Sequence, residues 1–125
     1  MTRSRLFILL IFLLLGVVIV GALLQRWQPE LLRNLITTDL TIRWTTESEL
    51  DIFGYNLYRS DTPDGEFVKI NDELLPPAVD PFIGGEHFYI DEGVIRGQTY
   101  YYQLESVTRY GGTRIEGPFA ISAGR

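Results

Sequence analysis

The chain has 125 residues, a net charge of −5, one histidine and no cysteine. Without cysteine there is no disulfide, thiolate metal site, Cys nucleophile or lipidated N-terminal Cys, and His87 alone excludes a multi-histidine metal site within one chain. Two of the eleven basic residues, Arg3 and Arg5, precede a long apolar run and all sixteen acidic residues follow it, so residues 25–125 carry a net −7; an acidic body without a basic stripe argues against nucleic acid as a partner, because phosphate neutralisation needs clustered Lys and Arg.

The apolar run, Leu6 to Leu24, holds 19 residues without a charge or strongly polar side chain. As a helix it spans roughly 28 Å, close to a bilayer core of about 30 Å. Hydrocarbon demands internal satisfaction of every backbone polar group, so a spanning segment must be helical. Arg3 and Arg5 keep residues 1–5 cytoplasmic by the positive-inside rule, and place everything after the span outside the cytoplasm. Trp27 follows at headgroup depth. The rival reading is a cleaved signal peptide, which would leave a secreted protein. Val20-Gly21-Ala22 is a passable cleavage site, yet Leu23 and Leu24 continue the apolar run beyond it. Gly16 and Gly21 lack the four-residue spacing of a close-packing dimer motif.

Residues 25–39 read as a juxtamembrane linker. Within it Pro29 to Leu35 suits a short helix, with Pro at a first helical position and Glu30 at the positive dipole end, or else a partly ordered link. Leu31, Leu32 and Leu35 would share one face. From Thr38 onward the period becomes two. "LTIRW" sets Leu40, Ile42 and Trp44 on one face, and "FGYNLYRS" aligns Phe53, Tyr55 and Leu57. Thr62-Pro63-Asp64-Gly65 signals a type I turn. "EFVKIN", "HFYID", "QTYYYQLESVTR" and "GPFAIS" complete six predicted strands, the last two joined through Tyr110-Gly111-Gly112. Many short strands without helical period indicate an all-β sandwich or barrel. In "TYYYQLE", parity sends Tyr100, Tyr102 and Leu104 inward and Tyr101 outward.

These elements carry a family resemblance. Leu40 to Ile121 resembles a fibronectin type III-like (immunoglobulin-like) domain, especially the bacterial surface-protein kind. The matching stretches are Trp44 to Asp51, Gly54 to Ser60, Asp64-Gly65, Ile70-Asn71, Gly97 to Val107 and Gly117-Pro118, in order and at the expected spacing. The resemblance implies a domain over residues 40–125 with Trp44, Tyr55, Gly97 and Tyr100 as its structural signature. Trp44 would be the core indole on the second strand, and Tyr100 the corner tyrosine whose hydroxyl bonds backbone a few residues upstream. Two departures stand out: Arg96 occupies the place where the family usually has Pro, and no first strand precedes Leu40. That strand is missing, very short, or recruited from Asn34 to Thr37, and an open edge beside the second strand would follow.

Candidate sites are few. Glu47, Glu49 and Asp51 could offer alternate carboxylates to calcium, or form a solvated polar loop. No nucleophile motif surrounds His87 or the serines, so no catalytic residue, cofactor or metal is expected. Phe82 and Ile83 lie in a Pro/Gly-rich loop, where they either point outward to anchor a partner or plug the open edge of the sandwich. Tyr58 and Tyr101 have outward parity and join them as candidate contacts. Three functions remain open: a membrane-anchored extracytoplasmic module for protein contact or envelope structure, a small accessory subunit of a larger membrane complex, and a carbohydrate-binding surface using Tyr58, Tyr89, Tyr101 and Tyr110. The fold leaves the choice open.

Overall fold

The computed structural model describes residues 16–22 and 32–124. The chain divides into two units, Met1–Ile36 and Thr37–Arg125. In the first, residues 16–22 and 32–36 are helical. Among the described residues no helix is long and apolar enough to cross a membrane. The predicted span Leu6–Leu24 lies outside the described residues except for its helical piece at 16–22, as do residues 1–5 and Gln25–Leu31. Residues Asn34 to Ile36, one candidate source of a first strand, are helical instead, and Leu32, Leu35 and Ile36 are exposed.

The second unit is all-β. Its strands are β1 (Thr37–Thr46), β2 (Ile52–Ser60), β3 (Val68–Lys69), β4 (Gly85–Ile95), β5 (Thr99–Thr108) and β6 (Thr113–Ser122). Every pairing is antiparallel. One sheet is β1-β4 and the other is β3-β2-β5-β6. Period-two patterning explains how they stack: Leu40 and Ile42 of β1 and Val94 of β4 meet Leu57 of β2 and Tyr100 and Tyr102 of β5 in one buried cluster, with Trp44 packed against it. β1 alternates as expected, with Asp39, Thr41, Arg43 and Thr45 exposed between the inward residues. In β5, Tyr100 and Tyr102 are buried and Tyr101 is half-buried.

Two predicted strands differ in detail. Phe53 does not share the face of Tyr55 and Leu57 but is 58% exposed. A register shift between Ile52 and Gly54 inserts one extra residue into β2, and such a bulge turns its side chain out of step. "EFVKIN" contracts to the two residues of β3. Asn71 ends it, because its side chain takes over the backbone's partners: Oδ1 accepts the Leu57 N–H at 2.7 Å, and Nδ2 donates to Glu73 O at 2.7 Å.

The β4–β5 corner is built around Tyr100. Gly97 holds φ at +76°, a region open to glycine, which turns the chain so that the Tyr100 ring folds back under β4. The Tyr100 hydroxyl accepts the Ile95 N–H at 2.9 Å, and the ring lies under the Arg59 guanidinium at 5.2 Å. Tyr100→Phe keeps the ring and orphans that N–H, so it is expected to cost about 1 kcal/mol in urea unfolding; an unchanged midpoint would remove the bond from the account.

Candidate functional site

The candidate partner-contact site is the loop between β3 and β4 and the buried group that holds it. Phe82 and Ile83 are each 73% exposed, so they do not plug the sandwich edge; Val79, three residues earlier, is fully exposed. The loop is nonetheless tied down. The Phe82 N–H donates to Asp80 Oδ1 at 3.0 Å, closing a local Asx turn. Pro81 O accepts the Glu49 N–H at 2.7 Å and the Ser48 hydroxyl at 3.3 Å. The Gly85 N–H donates to Thr46 Oγ1 at 3.0 Å. Gly84 presses so closely on β1 that a Cβ there would stand 2.1 Å from Thr46 O, and its φ is +64°. The loop is therefore clipped on both sides of its tip, at Pro81 to the β1–β2 connection and at Gly84 and Gly85 to the end of β1.

Glu49 is the centre of this brace. It is only 1% exposed. Its carboxylate accepts from the Thr46 hydroxyl and the Ala78 N–H and meets His87 Nε2 at 2.6 Å. Burial pushes this carboxyl up, but the bonds from Thr46, Ala78 and His87 outweigh burial and hold it below the ordinary 4.5. The His87 ring stacks on Trp44 at 5.1 Å and leans on Tyr55 at 5.3 Å, and Trp44 meets Tyr55 edge-on at 5.6 Å. Burial, then Glu49, push the Tyr55 phenol upward. Trp44 and Tyr55, two residues of the sequence signature, thus wall an ionisable pair as well as the core. The Trp44 Nε1–H is buried with no partner among the described residues.

Glu49 also decides the calcium reading. It turns inward while Glu47 and Asp51 stay exposed, so the three carboxylates do not converge. Among the described residues no group of three or more His, Asp and Glu side chains could hold a metal.

The tyrosines separate in the same way. Tyr58 and Tyr101 lie on the outer face of adjacent strands, where Tyr58 donates to Glu105 Oε2 at 2.9 Å. That hydrogen bond raises the phenol's pKa. Tyr89 instead packs against the core and donates to Ile70 O at 2.6 Å, and Tyr110 sits exposed in the β5–β6 turn. The four do not form one platform.

A second polar cluster bridges the sheets. Arg59 Nη1 of β2 donates to both oxygens of Asp91 on β4, at 2.8 and 2.9 Å, and the Tyr102 hydroxyl of β5 donates to Asp91 Oδ2 at 2.8 Å. Asp91 is 6% exposed. Burial lowers the Arg59 guanidinium, but the Asp91 carboxylate more than compensates and leaves it raised. Sequence reading singled out neither Glu49–His87 nor Arg59–Asp91. The members lie 38 and 32 residues apart, and no local pattern announces them.

Comparison of the chain with protein-family models, curated proteins and solved structures found no match.

Proposed function

We propose that the chain is a single-pass, membrane-anchored module whose extracytoplasmic fibronectin type III-like domain binds a protein partner through the loop carrying Phe82 and Ile83. The observation that carries the reading is an apolar tip exposed at its end and fixed at its base. Rigid presentation lowers the ordering cost of binding, and apolar side chains entering a pocket supply most of the affinity. The exposed acidic residues Glu47, Asp80 and Glu86 border the same region, so the partner surface is an apolar pocket with a basic rim. The fold-family reading is supported by the strand order: with β1 as the second strand, β1-β4 corresponds to half of one sheet and β2-β5-β6 to the core of the other. The Tyr100–Ile95 bond lies at the place a corner tyrosine would use. The anchor and the topology rest on the apolar run Leu6–Leu24 behind Arg3 and Arg5.

The test is purification of the tagged full chain in mild detergent, beside the Phe82→Ser/Ile83→Ser double variant. The wild type should retain a stoichiometric partner. The variant should bind it about 10-fold or more weakly, as expected for loss of central apolar anchors, with an unchanged thermal midpoint. Equal retention by both chains, or recovery of the wild type alone, would refute the reading.

A further inference from the structure

We infer that a second copy of this chain pairs along the Thr38–Thr46 edge of β1 that faces away from β4, giving an isologous dimer. Among the described residues β1 pairs only with β4. From Thr38 to Thr46 its other edge therefore presents unpaired main-chain donors and acceptors, the standing template for another strand. The other sheet ends on the same side. Arg59–Asp91 fixes β4 over β2, which sets β1 above β5 and β6, and β6 is itself an edge strand. Between the two edges the sandwich opens into an apolar cleft of about 210 Å³. Ile42 and Trp44 line it from β1, Phe119 and Ile121 from β6, and Leu57 and Tyr102 behind them. Phe119 remains 52% exposed at its mouth.

The charges on β1 select the occupant. Its outward side chains are Asp39, Thr41, Arg43 and Thr45, one acid and one base placed symmetrically about Thr41. When two such strands run antiparallel with Thr41 on the two-fold axis, Asp39 stands opposite Arg43 of the copy and Arg43 opposite Asp39 of the copy. Opposite charges directly across a pair stabilise it, and like charges destabilise it. On the inner face the same register sets Leu40 opposite Ile42 of the copy. A two-fold interface demands this self-complementarity, with one patch serving both partners. The two clefts then open toward each other across the axis, and the exposed Phe119 side chains gain apolar surroundings.

A chain without cysteine permits a direct test. In the full chain, purified in mild detergent, Thr41→Cys puts one thiol per copy on the axis. Directly opposed Cα atoms in an antiparallel pair are about 4.5–5.5 Å apart, within disulfide reach. Thr45→Cys serves as the control, because in this register its two copies stand about 27 Å apart. Mild oxidation should link T41C into a disulfide dimer and leave T45C unlinked. Arg43→Asp should weaken dimerisation about 10-fold or more by sedimentation, since it sets like charges across both pairs. Asp39→Arg combined with Arg43→Asp should restore it. Near-UV circular dichroism verifies that each variant is folded. The inference is overturned if T41C stays as unlinked as T45C, the result expected if residues 23–31 or a strand of another protein covers the edge. It is equally overturned if R43D dimerises like the wild type, the result expected if the contact lies elsewhere.

Discussion

Asp91→Ala is expected to destabilise the β domain by about 3–5 kcal/mol, because it strands the partly buried Arg59 guanidinium and the buried Tyr102 hydroxyl together. Small domains are stable by only about 5–15 kcal/mol, so the variant should lie close to unfolding at room temperature. The loss reflects an uncompensated charge, not the net worth of the pair. Replacing both charged ends with apolar residues of similar volume, as in Arg59→Met with Asp91→Leu, is therefore expected to recover the part due to the charge and to leave only the roughly 1–3 kcal/mol of the orphaned Tyr102 hydroxyl. Urea unfolding of the single and double variants measures both quantities. A single-variant loss under about 1 kcal/mol would mean that water or another group takes Asp91's place.

Glu49→Ala ranks second, at about 3 kcal/mol or more, for it leaves the Ala78 N–H, the Thr46 hydroxyl and His87 Nε2 without their common acceptor at a buried position. The effect carries a pH signature. The folded-state pKa of Glu49 lies below the ordinary 4.5, so the unfolded chain takes up its proton first as pH falls. The stability this carboxylate supplies is complete above that ordinary value. It is lost as the pH drops through the lowered folded value. Wild-type protein should therefore show an acid decline in this window, and Glu49→Gln, which cannot titrate, should show a shallower one. The same substitution loosens the loop, so the amide of Phe82 should exchange faster in the variant than in the wild type. Identical acid limbs for the two proteins would contradict the brace.

Much of the fold is legible in the alternation of β1, where apolar and polar residues take opposite faces and burial follows parity, and in the first half of β5, where Tyr100 and Tyr102 are buried. It fails where a strand obeys distant partners. In β4 the inward positions are His87, Tyr89 and Asp91, while Phe88 and Ile90 point outward, exposed by 62% and 45%. Hydrophobic period alone would turn this strand over. What holds it is Glu49 for His87 and Arg59 for Asp91, and Phe88 is partly covered by the Arg43 guanidinium 5.8 Å from its ring. Phe53 was lost to a single-residue bulge, which shifts parity without leaving a mark in composition. For Phe82 and Ile83 the residue types were visible but the direction was not. That direction depends on Glu49, whose neighbours in the sequence read as an ordinary acidic loop.

The proposed meeting of this domain with a protein through the tip of the β3–β4 loop leaves a chemical trace that can be read directly. The most direct measurement places a photoreactive side chain at Phe82 in the full chain within cells, with one at Tyr110 as control, a residue even more exposed at 88%. Illumination should give a discrete adduct to a different protein from position 82 and none from position 110. No adduct at 82 above the control, or equal adducts from both positions, would contradict the claim.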